Sequence, residues 1–209
     1  MNNVNVINNA GKDVVVTVNK NKNNVQIVID LAADKKVQLS ELKPGDIFKA
    51  NDIEYIVLEQ FEITTAVLRK DILENTMKFG ENNNWKESDI RSFLNCEYLS
   101  ELNNVFGKEN IVLHNIDLLS LDGFDDYGKC TDKVSLITID QYRRYRKVIG
   151  KPLGKLWWLL TPDSTPTGCG SGGVQCVGSN GRVYYYWYNG CDGVRPFFLL
   201  KSSIFVSCE

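Results

Sequence analysis

The sequence predicts an α+β fold built mainly from antiparallel strands. Three observations carry this. β-Branched and aromatic runs occupy both ends of the chain, two capped amphipathic stretches lie between them, and no strand–helix–strand alternation of the kind that builds a doubly wound sheet occurs. The chain divides into a small N-terminal piece, residues 1–36, and a larger domain, residues 37–209. With 209 residues, 43% of them hydrophobic, the larger piece can bury a substantial core.

In the first piece, Val14-Val15-Val16-Thr17-Val18 and Val25-Gln26-Ile27-Val28-Ile29 flank the polar run 19–24, the pattern of a β-hairpin. An isolated hairpin is marginal in water. It is therefore expected to pack on the main domain or on another copy of itself, which makes residues 1–36 the expected route to a homo-oligomer. Asp34-Lys35-Lys36 reads as a hinge. The main domain opens with turn signals at Pro44-Gly45 and Asn51-Asp52. Strands over 53–58 and 63–68 complete a small meander.

Two helices follow. Ser88 caps the first, with Asp89 in its first turn; Asn84 with Glu87 is an alternative start one turn earlier. Ile90, Phe93, Leu94, Tyr98 and Leu102 share its apolar face. The second opens on the capping box Thr138-x-x-Gln141, buries Ile139, Tyr142, Tyr145 and Ile149, and ends at Gly150 and Pro152. Its other side carries Arg143, Arg144, Arg146 and Lys147, a solvated basic face. The chain then returns to strand: 174–177 and 182–188 around Ser179-Asn180-Gly181, a second turn at Asn189-Gly190, and closing strands over 197–200 and 204–206.

Charge and composition narrow the function. A net charge of −2 with no basic stripe argues against nucleic-acid binding. No apolar run approaches the ~20 residues that span a bilayer, so membrane insertion is not expected. The N-terminus lacks the marks of a secretory signal, so cytoplasmic synthesis is expected. The six cysteines are too sparse for a disulfide scaffold and form no CxxC. Reduced thiols are therefore expected, although Cys169, Cys176 and Cys191 share one segment. No metal site or cofactor is expected.

The segment from Thr161 to Gly193 differs from the rest. It holds eight of the sixteen glycines, four of the nine tyrosines and three of the six cysteines, with no Lys, Glu, Met or His. Tyr with Ser, Gly and Asn is the palette of adaptable binding surfaces. Strand alternation puts Val183, Tyr185 and Trp187 on one face, expected inside, and Tyr184, Tyr186 and Tyr188 on the other, expected outside. Asn189 and Asp192 extend that outer ladder. The loop 163–173, with Ser164 and Thr165 at its start, is the expected second wall. Three tyrosines in an exposed row mark a contact site.

Asn84-Trp85-x-x-Ser88-Asp89-Ile90-Arg91-x-x-Leu94-Asn95, Ser120-Leu121-Asp122-Gly123, Tyr127-Gly128, Trp157-Trp158-Leu159-x-Thr161-Pro162, Asn180-Gly181 and Gly193-Val194-Arg195-Pro196-Phe197 together carry a resemblance. From about Leu39 to Val206 the chain resembles a family of proteins of gut-dwelling Gram-positive bacteria and their prophages. The C-terminal pattern is similar to that of C-type-lectin-like domains. Those include variable proteins diversified by retroelements and, more remotely, formylglycine-generating enzymes. The resemblance implies a C-type-lectin-like domain, and the N-terminal hairpin segment, residues 1–36, which precedes that domain, lies outside it. It also implies a phage or virion setting and a non-enzymatic surface that meets a protein or glycan. Retroelement diversification rewrites AAC codons and cannot produce Lys, Glu, Gln, Met or Trp. Only Gln175 and Trp187 break that rule between Thr161 and Gly193.

The frame around the segment is expected to be structural. Arg195 reads as a buried guanidinium holding main-chain carbonyls, and Arg91 invites the same reading. Trp157 and Trp158 point to opposite faces, one inward and one toward the insert. Enzyme readings find thin material. A nucleophile–histidine pair would have to use His114, the only histidine, and a copper site would have to use Cys176 and Cys191. Asp117, Asp122, Asp125, Asp126 and Asp132 are the acidic residues available for calcium, at spacings unlike an EF-hand.

Overall fold

The computed structural model describes residues 14–21, 24–31 and 36–208. Contacts divide the chain into two units, 1–35 and 36–209. In the first unit, β1 (Val14–Asn21) and β2 (Asn24–Leu31) form an antiparallel hairpin in which Val14 faces Leu31 and Asn21 faces Asn24. The strands run further into the polar stretch than its composition suggests, since Asn19 to Asn21 are still paired. Asp34 and Lys35 of the expected hinge lie outside the described residues.

The second unit is mixed α and β, with mostly antiparallel sheets and few, short helices. Its strands, in order, are β3 (Lys36–Gln38), β4 (Ile47–Ala50), β5 (Ile53–Gln60), β6 (Thr64–Arg69), β7 (Met77–Lys78), β8 (Ile111–Val112), β9 (His114–Asp117), β10 (Lys129–Asp132), β11 (Val134–Ser135), β12 (Trp157–Pro162), β13 (Gly173–Val177), β14 (Val183–Trp187), β15 (Cys191–Asp192), β16 (Phe197–Lys201) and β17 (Phe205–Ser207). The main sheet runs β11-β16-β6-β5-β4-β17-β3, with β8 beside β11 along the outer edge of β16. First strand and last strand of the unit are therefore neighbours: Val37 faces Val206. Asn51 and Asp52 both adopt positive φ, 50° and 61°, the geometry of the tight turn that joins β4 to β5.

Alternation along the central strands explains their continuous apolar runs. Tyr55, Val57, Val67, Trp158, Leu160, Phe198 and Leu200 enter one core. Ile56, Leu58, Ala66, Leu68, Trp157, Leu159 and Phe197 enter a second. A strand buried on both faces has no polar side to show.

Helices cover the two cores separately. Ile90, Leu94, Tyr98, Leu102 and Phe106 reach the first core from α1 (Asp89–Phe93), a π-helical turn (Leu94–Tyr98) and α2 (Leu99–Phe106). Ile139, Tyr142, Tyr145 and Ile149 reach the second from α3 (Ile139–Ile149). Both expected first-helix caps are used, on consecutive pieces. Asn84 accepts from Lys86 N at the head of a single 3₁₀ turn, and Ser88 Oγ accepts from Arg91 N at the head of α1. The π-helical turn coincides with Asn95. Its amide donates to Val134 O and accepts from Lys133 N and Val134 N, docking the helix to β11. The Thr138–Gln141 capping box is complete. Among the described residues no helix is long and apolar enough to cross a membrane.

Arg195 braces the unit. Its guanidinium is 1% exposed, donates to Arg69 O at 2.8 Å and Lys70 O at 2.6 Å, and stacks 5.1 Å from the Trp157 ring. Desolvation lowers its pKa to about 10, so it stays charged at neutral pH. Arg91 is different. It pairs with the buried carboxylate of Asp132, which also accepts from Trp85 Nε1 at 2.8 Å, and it touches only one carbonyl, Lys86 O.

Two outcomes are expected. Arg195→Ala removes a packed side chain and leaves two inner carbonyls unpaired, so urea denaturation should show a loss of about 3–5 kcal/mol. His114 is half-buried beside Phe197, and desolvation pulls its pKa down from 6.5 to about 4. Its neutral form therefore contributes stability that is fully present above pH 6.5 and is lost as pH falls toward 4, on the order of 3 kcal/mol at most. The slope of stability against pH in that window should flatten in His114→Gln.

Candidate functional site

The expected binding segment is a second, smaller sheet, β12-β13-β14, with β14 at its edge. β12 is buried throughout, and β13 from Val174 to Val177. Register puts Trp158, Cys176 and Tyr184 on one face and Trp157, Val177 and Val183 on the other, facing the first and second cores respectively. β14 overhangs these cores. Its side chains are exposed on both faces: Tyr184 46%, Tyr185 59%, Tyr186 47% and Trp187 61%.

This corrects the expected alternation. Tyr185 and Trp187 were expected inside, but the cores stop at β13 and only Val183 of that face packs against one. Tyr188 was expected outside and is half-buried against the first core. Its main chain is clamped: the carbonyl accepts from Phe79 N at 2.8 Å and the amide donates to Gly172 O at 3.0 Å. Asn189 is exposed as expected. Asp192 is half-buried in β15, paired with β7, with Oδ2 enclosed and without a hydrogen-bond partner. Burial raises its pKa above the usual carboxylate value. It is no rung of an outer ladder.

The second wall is also displaced from expectation. Ser164 and Thr165 are 4% and 0% exposed, so neither faces a ligand. Ser164 Oγ accepts from Cys169 N, and Thr165 O accepts from Gly168 N and Gly170 N, folding the loop upon itself. The hub is a residue that the sequence did not single out. Asn83 is fully buried; its amide donates to Ser164 O and Gly173 O, both at 2.8 Å, and accepts from Tyr127 Oη at 2.7 Å. Asp126 adds a bond from Thr167 N. Nothing within Asn82-Asn83-Asn84 distinguishes its buried middle member from a solvated loop.

Each exposed ring of β14 lies against a glycine. A Cβ at Gly178 would stand 2.6 Å from Tyr184 Cε2, and one at Gly173 would stand 3.2 Å from Tyr185 Cδ2. Cβ atoms at Gly190 and Gly172 would overlap the Tyr186 and Trp187 rings outright. Glycine's missing side chain leaves room for the rings to lie close to the main chain. Tyr186 also packs 6.2 Å from the Trp158 ring, whose Nε1 is held by Met77 O. Trp158 thus turns toward the insert but is wholly buried, as Trp157 nearly is. The result is apolar area that is held before any partner arrives.

Charge is uneven along the strand. Arg182 stands exposed before β14, and the turn it follows is docked on α3, where Tyr142 Oη donates to Gly181 O and Arg146 lies beside Gly181. β14 itself carries no charged residue.

The residues weighed for chemistry are dispersed. His114 Nε2 lies 2.9 Å from Ser135 Oγ, but Ser135 is 1% exposed and unreachable by a substrate. Burial pushes the Cys176 thiol up to about 12, while Cys191 is exposed; none of the six cysteines is joined in a disulfide. Four of the five aspartates have separate roles, Asp132 on Arg91, Asp117 on Lys129, Asp122 on Ser120 and Asp126 on Thr167. Among the described residues no three His, Cys, Asp or Glu side chains gather as a metal site. Comparison of the chain with protein-family models, with curated proteins and with solved structures finds no match.

Gly172→Ala tests the glycine seats. The methyl group should push the Trp187 indole off its platform, changing near-UV circular dichroism and the indole N–H resonance while leaving far-UV circular dichroism unchanged. An unaltered indole signal would contradict the packing described.

Proposed function

We propose that this chain is a non-enzymatic recognition module of C-type-lectin-like fold, from a phage or prophage setting, whose β14 strand meets a protein or glycan. The supporting observation is the exposure of four consecutive aromatic side chains, seated on glycines beside a strand buried on both faces. Large aromatics in the open are costly for solubility and are the usual anchors of interfaces. Support for the fold reading comes from the pairing of β3 with β17, which brings the ends of the unit together and lets the long 157–193 excursion project from one body.

The alternative, an accessory protein whose tyrosines pack in its own core, fits Tyr188 but not Tyr184, Tyr185 and Tyr186. If retroelement rewriting shaped the surface, its targets are Tyr184, Tyr185, Tyr186 and Asn189. Trp187 would be an invariant anchor, since AAC rewriting does not produce it.

The full chain should be screened against arrays of bacterial surface glycans and purified cell-surface proteins, beside a Tyr185→Ala/Trp187→Ala variant. Anchor aromatics are each worth about 1–2 kcal/mol or more, so the variant should bind at least about tenfold more weakly with its fold retained. Equal binding by the two proteins, or no binding by either, would sink the proposal.

A further inference from the structure

The edge of β14 has a partner chemistry of its own. The bonds Gly178 N to Arg182 O, 2.8 Å, and Tyr188 N to Gly172 O, 3.0 Å, set the hydrogen-bonding phase of the β13–β14 ladder. In that phase the even-numbered residues of β14 bond to β13, and Val183, Tyr185 and Trp187 turn their N–H and C=O groups outward. Among the described residues no strand pairs with that edge. Proteins usually guard such edges with lysine, proline, an inward charge or a bulge. Val183-Tyr184-Tyr185-Tyr186-Trp187 has none of these residues, and its register with β13 is unbroken.

We infer that β14 pairs antiparallel with β14 of a second copy of this chain, with Tyr185 on the two-fold axis. The register follows from the strand's phase. Only outward-facing residues can exchange main-chain bonds, and centring on Tyr185 makes every outward residue meet another: Tyr185 meets Tyr185, and Val183 meets Trp187. The Trp187 carbonyl already accepts from Gly190 N, 2.9 Å, and has a second lone pair for this bond. Faces are conserved across such a pair. Two Tyr185 rings and two Trp187 rings share one side of the joined sheet, and two Tyr184 and two Tyr186 rings share the other.

Charge agrees with a self-complementary contact. Edge pairing covers the outward main chain of Val183, Tyr185 and Trp187 and leaves the ring faces on the two sides of the joined sheet. With no charge in the strand nothing repels at the axis, and each Arg182 falls at an opposite end. The inference rests on β14 being a contact strand, as the proposed function does, and it makes the recognition surface a composite of two copies.

Sedimentation velocity of the full chain over a wide concentration range should show a monomer–dimer equilibrium. Amide exchange at high concentration should protect Val183, Tyr185 and Trp187, and dilution should release them. Tyr184 and Tyr186, bonded to β13, should stay protected throughout. Tyr185→Lys, which sets like charges against each other at the axis, should weaken the dimer at least about tenfold. A monomer at all concentrations would overturn the inference. So would a dimer insensitive to Tyr185→Lys, including one broken by Ile27→Lys, which would assign the contact to the N-terminal hairpin. The exchange pattern of the unaltered protein decides the matter even where a variant folds poorly. A monomer that still binds a glycan or protein through Trp187 would leave the proposed function standing, and a dimer without any ligand would do the reverse.

Discussion

The Arg195 guanidinium is the constraint on which the rest of the structure depends. Its segment, 193–196, runs between two others and is bonded to both. Gly193 O accepts from Trp158 N, Val194 O from Leu73 N, and Pro196 O from Arg69 N. The guanidinium then takes the carbonyls of Arg69 and Lys70 and lies on Trp157. One cation therefore ties the exit of β6, the start of β12 and the return from the insert. A lysine could reach one of these carbonyls but would lack the planar fork that holds two and stacks on indole. Both ends of the 157–193 excursion are thereby held.

Double-sided burial explains where the exposed chemistry falls. β5, β6, β12 and β13 give one row of side chains to each core, so none has a face to offer. Within the β12-β13-β14 sheet, the strand beyond the cores is the one that presents its side chains, and that strand is β14. Its rings would be loose on an ordinary edge. Here Gly172, Gly173, Gly178 and Gly190 let them lie against main chain, and Trp158 beneath Tyr186 gives one of them an aromatic floor. The glycines of the insert thus seat aromatic rings against main chain.

The fold was largely legible in local patterns. Thr138 and Gln141, Ser88 and the paired apolar faces of the helices each act within a few residues, and each acts in the structure as its spacing implies; the two Asn-Gly pairs do lie in turns, but neither asparagine takes the positive φ of a primed turn. Arg195 was legible for another reason: a cation flanked by Val194 and Pro196 in an apolar run has few ways to be satisfied other than main-chain carbonyls. The site was legible as a region but not as a set of residues. Tyr185 and Trp187 were assigned inward by a period-two rule that holds only when one face of a strand is covered. Ser164 and Thr165 resemble surface residues in any composition, and Asn83 resembles loop.

What the sequence by itself determined is therefore the set of elements, their caps and turns, and the stretch that differs from the rest, because those follow from interactions between near neighbours in the chain. The tertiary structure decided which side of β14 meets solvent, which polar residues are buried and which are free, and where an unpaired edge remains. Those depend on how far each core extends and on contacts between residues distant in the chain, as Asn83 and Gly173, ninety positions apart, illustrate.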